Sequence, residues 1–171
     1  MQRSKMWWGA TCMVVILAGI TACNSSSTPT TPSQPSDVAG TWSFVGTKLS
    51  DTCQDLGYWQ LQNLTPPTTL TEILTVTATG NPLIGQHVTG NLLTGAWQFS
   101  GVFVNTGFFL TVLTPNVYNA GNGCTLEERA EMIVPAIQNN QGIGTFSVSY
   151  VGVGTCSGSC QAVWSGIWTK Q

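Results

Sequence analysis

From Val38 to the C-terminus, apolar residues mostly recur at every second position. A chain with that period buries its apolar side chains as half-buried strands, because successive strand residues point to opposite faces. "LTEILTVTA" (70–78) sets Leu70, Leu74, Val76 and Ala78 on one face and Thr71, Thr75 and Thr77 on the other. Trp42 and Phe44 alternate with Thr41 and Ser43, and "GAWQFSGVF" (95–103) aligns Trp97, Phe99 and Phe103. "TFSVSY" (145–150) aligns Phe146, Val148 and Tyr150, and "AVWSGIW" (162–168) aligns Ala162, Trp164 and Trp168. Turn signals fall between these runs, at 79–82, Gly90-Asn91, 105–107 and 139–142.

The segment 124–138, "CTLEERAEMIVPAIQ", fits two structures. Thr125 and Glu128 form a capping-box pattern with good helix formers behind it. Leu126, Ala130, Met132, Val134 and Ala136 also share a strand face, and Pro135 counts against a long helix. Read as a strand, it completes eight: 40–49, 70–78, 83–90, 93–104, 108–114, 124–137, 143–153 and 161–169. The one long connection is the first, about twenty residues from Ser50 to Thr69, and short connections suit antiparallel neighbours. The fold expected is therefore all-β. An eight-stranded antiparallel up-and-down barrel closes every edge, and a β-sandwich is the alternative.

Composition narrows the partners. Only 7% of residues are charged, against a typical ~25%, so solubility rests on Ser, Thr and Asn. Beyond Cys23 there are three bases against seven acids, a formal charge of −4. Nucleic acid needs a basic face, and anionic headgroups attract basic segments; this chain offers neither.

The N-terminus has the layout of an export signal. Arg3 and Lys5 precede an apolar run from Met6 to Ala22, too short and too interrupted by Gly and Thr for a good spanning helix. Ile20-Thr21-Ala22-Cys23 resembles a bacterial lipobox, where the cysteine is lipidated and the chain is cut before it. The resemblance implies a signal peptide over 1–22, membrane attachment through a palmitate-bearing Cys23, and, because Asn24 is not Asp, the outer membrane. Two or three acyl chains hold durably where one holds marginally. "NSSSTPTTPSQPSD" (24–37) has no aliphatic or aromatic residue, so with Cys23 it forms a lipidated tether over 23–37 ahead of a barrel domain over 38–171.

Four cysteines remain: Cys53, Cys124, Cys156 and Cys160. An even number in an exported chain suggests two disulfides with three possible connectivities. With alternating strands, all four fall at one end of the barrel. Cys156 and Cys160 bracket a hairpin tip, which suggests Cys156–Cys160 and Cys53–Cys124. The C-x₃-C spacing suits neither the common zinc sites nor a redox pair, so no metal or cofactor is expected.

Gly40-Thr41-Trp42 at the head of the first strand resembles the G-x-W opening of lipocalins and other calycins. The resemblance implies a barrel whose Trp42 closes the bottom, with Lys170 packed across it and the long first loop at the mouth. Avidins begin with G-T-W too, but "SFVGTK" follows here in place of their biotin ligands.

A catalytic constellation is hard to assemble from these residues. His87, the only histidine, sits mid-strand without a nucleophile motif and reads as a surface or rim residue. Asp51 and Asp55 flank Cys53 as a carboxylate pair, a calcium site or plain loop acids. Glu127, Glu128, Glu131 and Arg129 read as one strand's wet face. If the barrel is hollow, Trp97, Phe99, Phe103, Phe146, Tyr150 and Trp164 would line a pocket for a small apolar ligand. Tyr58 and Trp59 would cap that pocket or anchor the long loop. The expectation is a non-enzymatic envelope protein that binds such a ligand or an envelope partner. A purely structural, filled barrel and a hydrolase are the alternatives.

Overall fold

The computed structural model describes residues 38–54, 58–61, 64–80 and 82–171. The signal segment, Cys23, the tether to Asp37, and Asp55 lie outside the described residues. The elements are β1 (Gly40–Asp51), a one-turn α1 (Tyr58–Leu61), β2 (Thr69–Thr77), β3 (Leu83–Gly90), β4 (Gln98–Val104) and β5 (Gly107–Val112). They continue with β6 (Asn116–Gly121), β7 (Cys124–Val134), β8 (Gln141–Gly154) and β9 (Gly158–Lys170). The disputed segment is a strand, ending where Pro135 withdraws its N–H from the ladder.

Every pairing is antiparallel, and the sheet closes because β1 pairs with β9 and β5 with β7. β7 gives one edge to β8 and the other to β5 and β6 in succession: Phe108–Thr111 face Val134–Glu131, and Asn116–Gly121 face Glu128–Cys124. β5 and β6 are therefore one stave broken at Thr114-Pro115, and the barrel has eight staves. The sequence pattern does not reveal β6, because "NVYNAG" carries little apolar material and alternates only between partly buried and exposed residues.

The residues inside are the apolar parity of each strand. Trp42, Phe44, Phe108 and Trp168 fill the end where β1 starts: Trp42 meets Phe108 edge-on at 5.5 Å, and Phe44 tilts against Trp168 at 4.8 Å. Trp42 Nε1 donates to the Val38 carbonyl at 2.7 Å. Trp42 pairs in register with Lys170, whose aliphatic stem crosses Gly40. A Cβ at Gly40 would stand 2.8 Å from Lys170 Cε, and its φ of 136° is itself open mainly to glycine.

The opposite end is closed by the long first connection. Tyr58 and Trp59 are buried against Tyr150, with Trp59 edge-on at 5.2 Å. Trp164 Nε1 donates to the Pro67 carbonyl, tying the returning half of the loop to β9. The described parts of the loop are thus anchored at the barrel mouth through Tyr58, Trp59 and Pro67.

Candidate functional site

All four body cysteines gather at the end closed by that loop, and their pairing differs from the expected one. Cys53 bonds Cys160, and Cys124 bonds Cys156. The β8–β9 register explains it. Gly152 faces Gly158 and Tyr150 faces Cys160, so Cys156 lies in the turn itself, opposite nothing, while Cys160 points inward. Inside, Cys160 meets Cys53 at the root of the long loop, and Cys156 leans sideways onto the start of β7. Each bond therefore joins segments that are not successive strands of one hairpin.

Two carboxylates are buried inside the barrel, Glu128, expected on a wet strand face, and Glu72, for which the sequence suggested no role. Glu128 is inside the barrel, not on the wet face of β7 with Glu127, Glu131 and the exposed Arg129. It occupies the inward parity between Leu126 and Ala130. Two phenols donate to it: Tyr118 from β6 and Tyr150 from β8. A buried carboxylate is costly unless hydrogen-bonded, and these donors meet that need. In return the site holds Tyr118 protonated. Burial raises its pKa above the usual value, and the hydrogen bond and charge of Glu128 raise it further.

Glu72 has no exposure at all. It stands on the inward parity of β2 between Leu70 and Leu74. Its Oε1 accepts from the backbone N–H groups of Leu92 and Leu93, at 2.9 and 3.2 Å. Its Oε2 lies 2.8 Å from His87 Nε2. Gly90 makes this possible, since a Cβ there would overlap the carboxylate. His87 is thus not a surface residue: its side chain is 3% exposed, and its Nδ1 faces the Gly95 carbonyl at 3.0 Å. Burial works against the imidazolium, but the Glu72 hydrogen bond, the Gly95 carbonyl and the Glu72 charge together raise the His87 pKa above 6.5. Beyond each other, His87 and Glu72 direct these hydrogen bonds to the 91–97 connection.

Asp51 is also committed internally. Its Oδ1 accepts from the backbone of Cys53 and Gln54 and from Trp59 Nε1, and its Oδ2 pairs with Lys48 at 3.1 Å. It caps the start of the long loop.

The six aromatic residues named as a pocket lining are brought to the interior side, but other side chains occupy the space between them. Phe99, Phe146, Tyr150 and Trp164 are fully buried, Trp97 nearly so, and Phe103 is partly buried. Phe44 stacks on Phe146 at 6.0 Å, Trp59 meets Tyr150, and Trp97 stacks on Phe99 at 6.4 Å. The barrel centre is a packed core.

The outer wall has its own character. β8 has no charged residue, β9 has only Lys170 near its end, and β1 has only Lys48 and Asp51 at its far end. Across these strands Val45, Ile167 and Ile143 lie in one register row, 54%, 50% and 74% exposed. Beside the row, Pro135, Ala136, Gln138, Gln141 and Gly142 join Ile143 and Ile167 in lining a groove of about 560 Å³. The groove is at the barrel end where β1 begins.

Compared with protein-family models, curated proteins and solved structures, the chain matches none.

Proposed function

We propose that this chain is an exported envelope lipoprotein, attached through Cys23, whose barrel is not a catalyst and binds an envelope partner through its outer wall. The single observation that carries the binding reading is the register row Val45–Ile167–Ile143, three exposed apolar side chains side by side on neighbouring strands whose charged residues lie only toward their ends. Contiguous exposed apolar residues mark interaction surfaces, whereas scattered ones need no explanation. Two disulfides support an oxidising compartment, in keeping with an export signal. The barrel interior is apolar and aromatic, whereas a spanning outer-membrane barrel has a polar interior and carries its aromatic girdles on the outside. This favours attachment by lipid over insertion of the strands.

The groove beside the row supports a second reading, in which a small apolar molecule binds outside the barrel rather than within it. A photo-cross-linking residue placed at Ile143 in the full-length protein, in cells, tests the first reading. It should give a discrete protein adduct, and one placed at Arg129 on β7 should not. Native mass spectrometry of the same protein tests the second, through an adduct lost in Ile143→Asp. Neither adduct would leave only the structural role.

A further inference from the structure

The connection between β3 and β4, residues 91–97, is held by side chains from the strands on which it sits. Asn91 fixes its start through both its backbone and its amide, on Thr71 and Thr69. Glu72 then receives the N–H groups of Leu92 and Leu93, and His87 reaches the carbonyl of Gly95, where a φ of 88° turns the chain. The segment's own Leu92, Leu93 and Trp97 are buried, with Trp97 stacked on Phe99.

The proton count at this junction is unusual. Gly95 O can only accept. Glu72 Oε1 already accepts two backbone N–H groups, and as a carboxylate Glu72 turns a second acceptor, Oε2, to His87. Both ring nitrogens of His87 therefore face acceptors, at 3.0 and 2.8 Å. A neutral imidazole has one N–H, so it satisfies one of these contacts and sets a lone pair against the other. Glu72 is the only charged group, among the described residues, that faces His87. The 91–97 segment offers no titratable side chain, and neither does β4.

We infer that residues 91–97 form a proton-operated latch, closed over the aromatic interior by a doubly protonated His87 bridging Glu72 to Gly95. Loss of that proton removes one of the two bridges, lowers the protection of the loop and loosens its packing over Phe99. The latch is closed in acid and loosens as pH rises. It is independent of the reading of the outer wall and of the lipid anchor.

The single histidine makes the test direct. Imidazole ¹⁵N spectra of the wild-type protein should show both ring nitrogens protonated at pH 6.5, with a midpoint above that value. Corrected amide protection of Leu92 and Leu93 should fall through the same midpoint, by at least threefold, and stay flat across that range in His87→Gln. Glu72→Gln should lower the histidine midpoint by a unit or more. A ring already neutral at pH 6.5 would overturn the latch, as would a loss of Leu92 and Leu93 protection that is the same in His87→Gln. The ring measurement needs no variant, so misfolding of one does not obscure the answer.

Discussion

Tyr150 on β8 donates its phenol to Glu128 on β7, and the two are register partners facing into the barrel. The carboxylate sits between Leu126 and Ala130 as if it were an apolar residue, and it is tolerated because Tyr118 donates to it from the other edge of β7. Removing one donor leaves a charged acceptor partly unsatisfied, at ~1–3 kcal/mol. Tyr150→Phe should therefore lower unfolding stability by about that amount. Tyr118→Phe should cost less, since its ring is only partly buried and water can take its place. Urea denaturation of the two variants checks the order.

The same reasoning applies to Glu72, with a steric corollary. Gly90→Ala drives a methyl group into the Glu72 carboxylate, so it should destabilise by about 2 kcal/mol or more. In a Glu72→Ala background the same change should cost much less. A double-mutant cycle should therefore show coupling of about 1 kcal/mol or more between the two positions. Additive losses would mean that the two do not touch.

The pH dependence of stability follows from His87. Its folded pKa is raised above the 6.5 of an unfolded histidine. The stability it contributes is thus fully present below pH 6.5 and is lost as pH rises through the folded value. The difference in urea midpoint between wild type and His87→Gln should be largest in mild acid and shrink on the alkaline side. A difference that grows with pH would contradict this sign.

The disulfides should differ in weight. Cys53–Cys160 closes a separation of 107 residues and Cys124–Cys156 one of 32. Loop-closure entropy then assigns about 4–5 and about 3–4 kcal/mol respectively. Cys53→Ser with Cys160→Ser should lower the denaturation midpoint more than Cys124→Ser with Cys156→Ser. Non-reducing peptide mapping should recover 53–160 and 124–156 as the linked pairs.

The barrel was legible because period two holds along nearly every strand, and a long first connection with short later ones fits an up-and-down order. The buried acids were legible too. Glu72 and Glu128 lie on the apolar parity of "LTEILTVT" and "TLEERAEMIV", and the alternation points them inward. What overrode it was the general rule that carboxylates are solvated. Their donors could not be read locally, because His87, Tyr118 and Tyr150 arrive from other strands. The disulfide pairing failed for a geometric reason. C-x₃-C suggests a bridged hairpin tip, but the β8–β9 register sets Tyr150, not Cys156, opposite Cys160. β6 was hidden by Pro115, which breaks one stave into two pieces and leaves the second with few apolar residues.

Attachment through a lipidated Cys23 is the central proposal for this barrel. Metabolic labelling of the full-length protein with an alkyne palmitate analogue, followed by fractionation of the envelope, measures that directly. The account predicts label and membrane association in the wild type, and loss of both in Cys23→Ala, with the barrel still folded and its two disulfides formed. Equal labelling of the variant, or an unlabelled wild-type protein free of the membrane, would contradict it.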